Sequence, residues 1–512
     1  MKIRRNASGL AFFLLGLNGC GSPTGSATSP VKAPPTAGNG GAPSGSDAGS
    51  GGTATGNDAA GASAIGAGGS APAGINVVIS PRSTVLVPAA QQTFSCTVSG
   101  TTDTGCTWNV VEAAGGTITA AGLYTAPSGS GTYHVKAAST ADSSKTDTAT
   151  VVISHPTVAN CDSLPAAGTW ENITPPEVMA GFGDSSHPRG VYAFAVDPQN
   201  SGTIYLGTFA QKVWKTTDCG STWTHISTGR NGAAVDSGDN WTFVMDPTDP
   251  KVLYTNSGYG SNTAYKSTNG GVDWDEIWPP SSKAADQVKL QKIVEYNFAN
   301  VFAIDPFDHQ HLLLTFHAVC AAPYNSACLA ETKDGGATWR LMNGDPSWNG
   351  TEGQVVYFLD NSNTWIWASQ NSGFWRTEDG GTTWKRTNEV NKEAHPQGSQ
   401  IYRAKDGTFY LAASDGVSRS ANGKDWTLIP DTGPLAGGLV SDGTTMYLST
   451  AFIGGYGKDL QPMRTAPEAT GQPWTKMPSP GMKNGGILGY DPGHHVLYAS
   501  NFDDGFFRVV VK

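Results

Sequence analysis

The chain has 512 residues, enough for two or three domains, and its formal net charge at pH 7 is −10. Charged residues make up only 14% of the sequence, against roughly 25% in an average soluble domain, and glycine is abundant at 65 residues. No run of Lys or Arg occurs beyond the N-terminus. This composition argues against nucleic acid binding, which depends on a basic surface.

The first twenty residues have the pattern of an export signal. Basic residues precede an apolar run at 10–17, which is too short to cross a bilayer as a helix. The sequence LNGC that ends at Cys20 resembles the lipobox of bacterial lipoproteins, in which the cysteine is acylated. The resemblance implies a signal peptide over 1–19, lipidation at Cys20, and anchoring at the outer membrane or cell surface. An ordinary secretory signal with a chance cysteine is the alternative.

Two segments precede the repeated part of the chain. Residues 20–75 consist almost entirely of Gly, Ala, Ser, Thr and Pro, and we expect a flexible tether there. Residues 76–155 alternate apolar and polar positions and predict a small β-sandwich. Within it, 115–139 resembles the bacterial Ig-like (Big) family, which implies a surface spacer with Trp108 in its core. Adhesion through this domain is the alternative.

Six cysteines follow Cys20, and an even number in an exported chain indicates disulfides. Two pairs are close enough in sequence to staple a hairpin, and the third pair is left by elimination: Cys96–Cys106, Cys320–Cys328 and Cys161–Cys219. The spacing leaves other pairings open.

A short motif, Ser/Thr-x-Asp/Asn-x-Gly-x-x-Trp, dominates the rest of the chain. It occurs at 216–223, 267–274, 332–339 and 377–384, with a shortened copy at 420–426. Repeats with a period of about 40–50 residues are typical of propellers and solenoids. The motif resembles the Asp-box (BNR) repeat of sialidases, xyloglucan-cleaving glycosidases, sortilin-like receptors and photosystem assembly factors. The resemblance implies that the tryptophans fill gaps between sheets and that five residues form turns: Asp218, Asn269, Asp334, Asp379 and Asn422.

A second element recurs seven times. An apolar strand, often ending in Asp-Pro, is followed by a second strand that usually carries an aromatic residue, at 191–207, 241–255, 301–316, 355–369, 401–413, 439–450 and 487–500. We therefore predict an all-β chain in which 156–512 form a seven-bladed β-propeller after the Ig-like sandwich. Six or eight blades are the alternatives. The orphan strand at 168–174 should complete the last blade and close the ring.

Candidate functional residues lie in the loops that enter each first strand, together with the loops between second and third strands. In propellers these two loop sets share one face. Aromatic rings there could stack on sugars, and carboxylates could bind hydroxyls or transfer protons. The predicted catalytic residues are Asp236, Asp239, Glu295, Tyr296 and His317. The predicted substrate-binding residues are Arg189, Arg230, Trp348 and Tyr259.

Several chemistries fit these residues. Glycoside hydrolysis requires two carboxyl groups, which Asp236, Asp239, Glu295 and Glu352 could supply. Arg189, Arg230 and Tyr296 beside Glu295 resemble a sialidase arrangement, although its Arg-Ile-Pro signature is missing. His317 could act as the base of a lyase. Xyloglucanases carry a catalytic Asp where the second strand of the first blade exits, but 205–214 contains no carboxylate.

We expect a monomer that engages an extracellular polysaccharide or glycoconjugate, as a glycosidase, second as a lyase, or as a lectin. A non-enzymatic scaffold that binds an envelope protein is the alternative. No cofactor or metal is predicted, because His309 and His311 would lie at the far end of one strand from His317, about 20 Å away at ~3.3 Å per residue. The membrane would be reached through the lipid anchor alone.

Overall fold

A computed structural model describes residues 74–129, 131–153, 157–158, 161–181, 190–279, 284–294, 298–342, 350, 352–369, 373–387, 400–413, 415–433, 436–450, 463–479, 482, 486–501 and 505–512. The predicted signal peptide, Cys20 and most of the tether lie outside these residues. So do four predicted site residues: Arg189, Glu295, Tyr296 and Trp348. No helix in the described segments has the length and apolar character needed to cross a bilayer.

Residues 74–153 form a small β domain. Its strands are β1 (Asn76–Ser80), β2 (Ser83–Leu86), β3 (Gln91–Thr93), β4 (Ser95–Ser99), β5 (Cys106–Val110), β6 (Thr117–Ile118), β7 (Leu123–Thr125), β8 (Gly131–Ser139) and β9 (Thr146–Ile153). They form sheets with the orders β1-β4, β2-β9-β8-β5 and β3-β7-β6. Alternate residues of these strands enclose an apolar core that includes Phe94, Tyr124 and Val135, and Trp108 packs against it.

A connecting segment contains β10 (Thr157–Val158), β11 (Trp170–Asn172) and the helical turn α1 (Pro176–Met179). Sheet 1 follows with β12 (Val191–Val196), β13 (Asn200–Ser201), β14 (Ile204–Thr208), β15 (Val213–Thr216) and β16 (Thr224–His225). Its strand order is β12-β14-β15-β16, and β13 pairs separately with β10. After α2 (Gly232–Asp236), sheet 2 consists of β17 (Phe243–Met245), β18 (Leu253–Ser257), β19 (Thr263–Ser267) and β20 (Asp275–Trp278).

The remaining sheets repeat this four-stranded meander. After α3 (Ala285–Ile293), sheet 3 has β21 (Ala299–Asp305), β22 (Asp308–Phe316), β23 (Leu329–Thr332) and β24 (Arg340–Met342). Sheet 4 has β25 (Gly353–Phe358), β26 (Trp365–Ser369), β27 (Gly373–Thr377) and β28 (Lys385–Arg386). Sheet 5 has β29 (Ile401–Arg403), β30 (Phe409–Ala413), β31 (Gly416–Ser420) and β32 (Thr427–Leu428). Sheet 6 has β33 (Ala436–Ser441), β34 (Thr445–Thr450), β35 (Arg464–Pro467) and β36 (Thr475–Lys476).

Sheet 7 is assembled from both ends of this region. It contains β37 (Leu488–Asp491), β38 (Val496–Asn501) and β39 (Gly505–Val510), and β11 adds to its edge. Trp170 lies opposite Val509 in antiparallel register, and Glu171 binds Arg508 with 2.8 Å between Oε2 and Nη2. The pairing predicted for 168–174 is therefore confirmed. The added strand covers the edge that β39 would otherwise expose.

Apolar clusters fill the gaps between successive sheets. Tyr205 of sheet 1 stacks near Phe243 of sheet 2, and Phe506 of sheet 7 meets Phe194 of sheet 1 with ring centroids 4.8 Å apart. Similar clusters join sheets 2 to 3, 3 to 4, 4 to 5, 5 to 6 and 6 to 7. The last sheet thus packs on the first. The fold is a β-propeller.

The Asp-box residues make hydrogen bonds inside their own turns. Asp334 accepts the Thr338 N–H at 2.9 Å and the Thr332 hydroxyl at 2.7 Å. Gly336 has a φ of +103°, and a Cβ there would lie 2.8 Å from Ile277 of the preceding sheet. Trp339 is buried and donates its indole N–H to the carbonyl of Ile277 at 2.7 Å. The motif therefore joins sheets 2 and 3 as well as closing its own turn.

The three disulfides are Cys96–Cys106, Cys161–Cys219 and Cys320–Cys328, the pairs expected from the sequence. The first links β4 to β5 in the small β domain. The second ties the connecting segment to the Asp-box turn of sheet 1, and the third closes the loop between β22 and β23.

The antiparallel register decides which loops share an end of a sheet. In sheet 2, Phe243 lies opposite Thr255 and Ser257 opposite Thr263, so β17 begins where β18 ends and β19 begins. The Asp-box turn between β19 and β20 lies at the other end. Sheet 3 has the same arrangement. We call the end at which the first strand of each sheet begins the entry end.

Candidate functional site

Three neighbouring sheets bring polar and aromatic residues together at their entry ends. We call this group the entry-end cluster: Asp239, Trp241 and Tyr259 of sheet 2, Phe298 and His317 of sheet 3, and Glu352 of sheet 4. Each residue stands just before a first strand or just after a second strand. The sequence had placed Tyr259, His317 and Glu352 in these loops, and their side chains are in contact.

Buried amide side chains fix the spacing of the sheets that carry the cluster. Asn240 accepts the N–H of Thr208 in sheet 1 at 3.2 Å and donates to the carbonyl of Asn256 in sheet 2 at 2.6 Å. Asn256 in turn donates to the carbonyl of Ala299 in sheet 3 at 2.6 Å. The side-chain amide of Asn300 donates in the same way to the carbonyl of Gly353 in sheet 4 at 2.8 Å. Because these bonds are buried, they hold the entry ends in a defined geometry.

His317 is the centre of the cluster. Its ring stacks on Phe298 with centroids 4.4 Å apart and planes 13° from parallel. Its Nε2 lies 3.1 Å from the hydroxyl of Tyr259 and 3.7 Å from Oε1 of Glu352. Burial lowers the pKa of His317 to about 4, so the imidazole is neutral at pH 7. It can therefore accept or relay a proton without carrying a permanent charge.

Asp239 is another member of the cluster whose pKa is shifted by burial. Its backbone exchanges two hydrogen bonds, at 2.7 and 2.9 Å, with Gly258, which is the residue before Tyr259. Burial raises the pKa of the Asp239 carboxyl to about 7. None of the described residues donates a hydrogen bond to that carboxyl group. At neutral pH a substantial fraction of Asp239 is protonated, which suits a general acid.

Asp236 does not join the cluster. Its carboxylate contacts His225 Nε2 at 2.7 Å, accepts the Val213 N–H at 3.1 Å and accepts the hydroxyl of Ser227. These partners anchor α2 to the outer strands of sheet 1. The carboxylate is thus engaged in local structure, and its contacts do not include the groups around His317.

Arg230 also lies elsewhere. Its guanidinium binds Asp275 on the outer strand of sheet 2 at 2.7 Å, and both side chains are more than half exposed. Its backbone N–H donates to Asp273 in the Asp-box turn at 2.6 Å. The contacts therefore connect Arg230 to the Asp-box turn and β20 of sheet 2. The predicted partners Arg189, Glu295, Tyr296 and Trp348 lie outside the described residues.

The other histidines of β22 serve separate networks. His309 Nδ1 lies 3.0 Å from Asp246, and its Nε2 lies 2.9 Å from the hydroxyl of Ser83 in the small β domain. His311 is buried between Asp305 and Glu331 at 2.7 and 3.0 Å. Neither contacts His317, in agreement with the strand-length argument against one metal site.

One group in the described residues combines three metal-ligand side chains within 4.8 Å, namely Cys161, Cys219 and His494. Its two sulfurs form a disulfide, which removes the thiolates that would bind a metal. Of these three side chains, the imidazole of His494 is the one left that could bind a metal.

Sequence reasoning missed the aromatic support of the site. Phe298 lies under His317, and Trp241 stacks near Phe298 with planes 16° apart. Both residues stand directly before the first strand of a sheet, which is the position that singled out the polar candidates. Neither residue was among the candidates drawn from the sequence.

No protein-family profile matches the chain. The sequence is 28% identical over 128 aligned residues to xyloglucanase Xgh74A of Acetivibrio thermocellus, and the match covers 21% of this chain and 15% of that protein. The GH74 xyloglucanase of Xanthomonas campestris superposes with a TM-score of 0.44 at 16% identity, covering 67% of this chain and 54% of the other. YCF48 of Cyanidioschyzon merolae superposes with a TM-score of 0.41 at 12% identity, covering 67% and 98%. The chain's own sheets, and not these likenesses, establish the fold.

Proposed function

We propose that the chain is an exported protein whose seven-bladed β-propeller engages and cleaves a polysaccharide at the entry-end cluster. The observation that carries the proposal is the meeting of Tyr259, His317 and Glu352 across three sheets, beside an Asp239 whose pKa is raised to about 7. The local sequence similarity to a xyloglucanase supports a carbohydrate ligand.

The chemistry of the cluster favours hydrolysis. A glycosidase needs one carboxyl group that is protonated at working pH and one that is ionised. Asp239 has the raised pKa of the first, and Glu352 supplies a second carboxyl group near the neutral His317. In this assignment Asp239 protonates the leaving oxygen, and Glu352 acts as base or nucleophile. A lyase would instead need a cation to hold a uronate carboxylate, and of the two predicted arginines the described one, Arg230, binds Asp275.

The proposal is tested by incubating the mature chain with xyloglucan, mixed-linkage β-glucan, glucomannan, polygalacturonate and alginate. We expect new reducing ends from at least one of them and a rise in melting temperature with the same polymer. Unsaturated uronate absorbance would indicate a lyase. A melting shift without product would indicate a lectin. The absence of product and of a melting shift with every polymer would contradict a carbohydrate function and favour a scaffold that binds an envelope protein.

We further propose that 76–155 is an Ig-like spacer and that Cys20 carries a lipid anchor at the cell surface. Three disulfides are typical of an exported chain, and the packing of sheets around Phe94 and Tyr124 suits a sandwich. We expect palmitate labelling of the chain expressed in a Gram-negative host, and its loss in Cys20→Ala. Equal labelling of both proteins would rule out Cys20 as the lipidation site.

A further inference from the structure

We propose that His309 is a proton-dependent latch between the small β domain and the propeller, and that its protonated ring holds the two together through Ser83. The contacts lie at the end of sheets 2 and 3 that is opposite the entry end. The inference therefore does not depend on the proposed polysaccharide function of the entry-end cluster.

The small β domain meets the propeller through a narrow set of polar contacts. The hydroxyl of Ser83 contacts both the backbone carbonyl of Pro306 and Nε2 of His309, the latter at 2.9 Å. Between the described residues of the two domains, these are the hydrogen bonds that join them. Beside these contacts the domains separate into a cleft of about 670 Å³, lined by β1 and β4 on one side and by turns of sheets 3 and 4 on the other. An interface this small and polar permits relative movement of the domains.

The Nδ1 atom of His309 carries a hydrogen. It lies 3.0 Å from Oδ1 of Asp246 and 3.0 Å from the hydroxyl of Thr248. That hydroxyl donates its own hydrogen to Asp246 at 2.8 Å, so it can only accept from the ring. Burial alone would raise the pKa of Asp246, but the hydrogen bonds from His309 and Thr248 outweigh it and lower that pKa. An ionised Asp246 therefore keeps the hydrogen on Nδ1.

The Nε2 atom requires a second hydrogen. The Pro306 carbonyl can only accept, so the hydroxyl of Ser83 donates its hydrogen there. The Ser83 oxygen then accepts from Nε2 of His309. Because Nδ1 is already protonated, both contacts of Ser83 are hydrogen bonds only when the ring is an imidazolium. The geometry at Ser83 is thus that of a charged His309.

Neither neutral tautomer of His309 supports all of these contacts. With its hydrogen on Nδ1, the ring leaves Nε2 as an acceptor, and the single hydrogen of Ser83 serves either Nε2 or the Pro306 carbonyl. With its hydrogen on Nε2, the ring points a lone pair at Asp246. The side chains of His309 and Asp246 are 15% and 8% exposed, so water replaces the lost bonds poorly. Docking of the small β domain therefore takes up a proton, and it weakens as the pH rises through the range in which histidine ordinarily titrates, about pH 5–8.

Several charged groups surround His309. Asp246 contacts the ring itself. In the small β domain, Arg82 is paired with Asp147 at 2.9 Å. On β19, burial lowers the pKa of Lys266, and the nearby Asp246 opposes that shift. The other titratable residues on the described turns and strands nearby are Asp249, Lys251, Tyr254, Asp305, Asp308, His311, Glu331, Lys333 and Asp334. A change with pH must therefore be assigned to His309 by substitution.

The test measures the distance between the two domains of the mature chain by double electron–electron resonance. Spin labels are attached to a ketone-bearing amino acid introduced at two exposed positions, Val111 in the small β domain and Lys385 in sheet 4, which leaves the disulfides intact. We expect a narrow distance distribution at pH 5.5 and a broader one at pH 8.5. Ser83→Ala should give the broad distribution at both pH values, because both contacts of the hydroxyl are lost.

His309→Ala should behave like Ser83→Ala. Since it also removes the partner of Asp246, its melting temperature is recorded, and Ser83→Ala, which leaves Asp246 paired, decides the outcome if His309→Ala does not fold. Ser95→Ala is the matched control, because Ser95 also borders the cleft but donates its hydroxyl to Ser80 within the small β domain. It should keep the wild-type response. Identical wild-type distributions at the two pH values would overturn the inference, and so would a pH response that persists in Ser83→Ala or in a folded His309→Ala.

Discussion

Replacing Asp239 with asparagine is expected to slow polysaccharide cleavage by about 10²–10⁴-fold, the usual contribution of a general acid. Asparagine keeps the shape of the side chain but cannot give up a proton. The polymer-induced rise in melting temperature should therefore remain while reducing ends disappear. In the wild type, cleavage should fall as the pH rises through about 7, because Asp239 then loses the proton it donates.

The same substitution has a stability signature that does not depend on activity. The folded-state pKa of Asp239 lies above its unfolded value of 3.8, so ionisation is penalised in the folded chain. The wild type is thus stabilised below about pH 4 and loses that contribution as the pH rises to about 7. At pH 8, Asp239→Asn should be more stable than the wild type by up to ~4 kcal/mol, and at pH 4 the difference should vanish.

Asp249→Asn is the matched control for both measurements. Asp249 is an exposed aspartate in the turn between β17 and β18, at the opposite end of the same sheet. Its substitution should change neither turnover nor the pH dependence of melting. An Asp239→Asn variant that cleaves at the wild-type rate would exclude Asp239 as the acid, whatever its effect on stability.

Replacing His311 with alanine is expected to lower the free energy of unfolding by about 3–5 kcal/mol, the usual cost of breaking a buried ion pair. His311 lies between two carboxylates that are almost fully buried, Asp305 at 0% and Glu331 at 4% exposure. Arg340 also binds Glu331, at 2.9 Å from Nε, and Lys333 lies 3.5 Å from it. Among the described residues the ion pair of Asp305 is with His311, so the variant would bury that carboxylate without a cation.

The effect of His311 should depend on pH. Burial alone would lower the pKa of His311, but the hydrogen bonds to Asp305 and Glu331 outweigh it and raise the pKa above 6.5. The stabilisation is therefore complete below about pH 6.5 and is lost as the pH rises through the folded-state pKa. Urea unfolding at pH 6 and pH 9 should show a larger gap between wild type and His311→Ala at pH 6.

Gln310→Ala serves as the control because Gln310 is the exposed neighbour of His311 on β22. Its stability should stay within about 0.5 kcal/mol of the wild type. A gap for His311→Ala that is equal at both pH values would show that packing, and not the charge network, accounts for the loss.

Much of the fold could be predicted because each repeat depends on residues that are close to one another in sequence. The Asp-box turns depend on neighbours within a few residues, such as Thr332, Asp334 and Thr338, and such contacts are visible in a motif. The partner of 168–174 could be predicted because this strand belongs to no unit of its own, while the last repeat unit lacks its outer strand. The number of blades and the Ig-like identity of 76–155 stay predictions.

The positions of the candidate residues were predicted in part. Loop topology alone brought Tyr259, His317 and Glu352 to one end, because antiparallel register decides which loops are neighbours. It could not place Asp236 or Arg230, whose loop turns into α2 and takes them to His225 and Asp275. The path of a non-repeating loop is set by tertiary contacts, and a repeat pattern contains no information about them.

The strand that completes sheet 7 has a consequence for the order of folding. β11 and β39 lie near opposite ends of the propeller sequence, so their pairing waits until nearly the whole chain has been synthesised. Until then β11 has no partner strand in its sheet, and the last sheet cannot be completed. In the exported protein that we propose, the ring therefore closes only after the last strand has crossed the membrane.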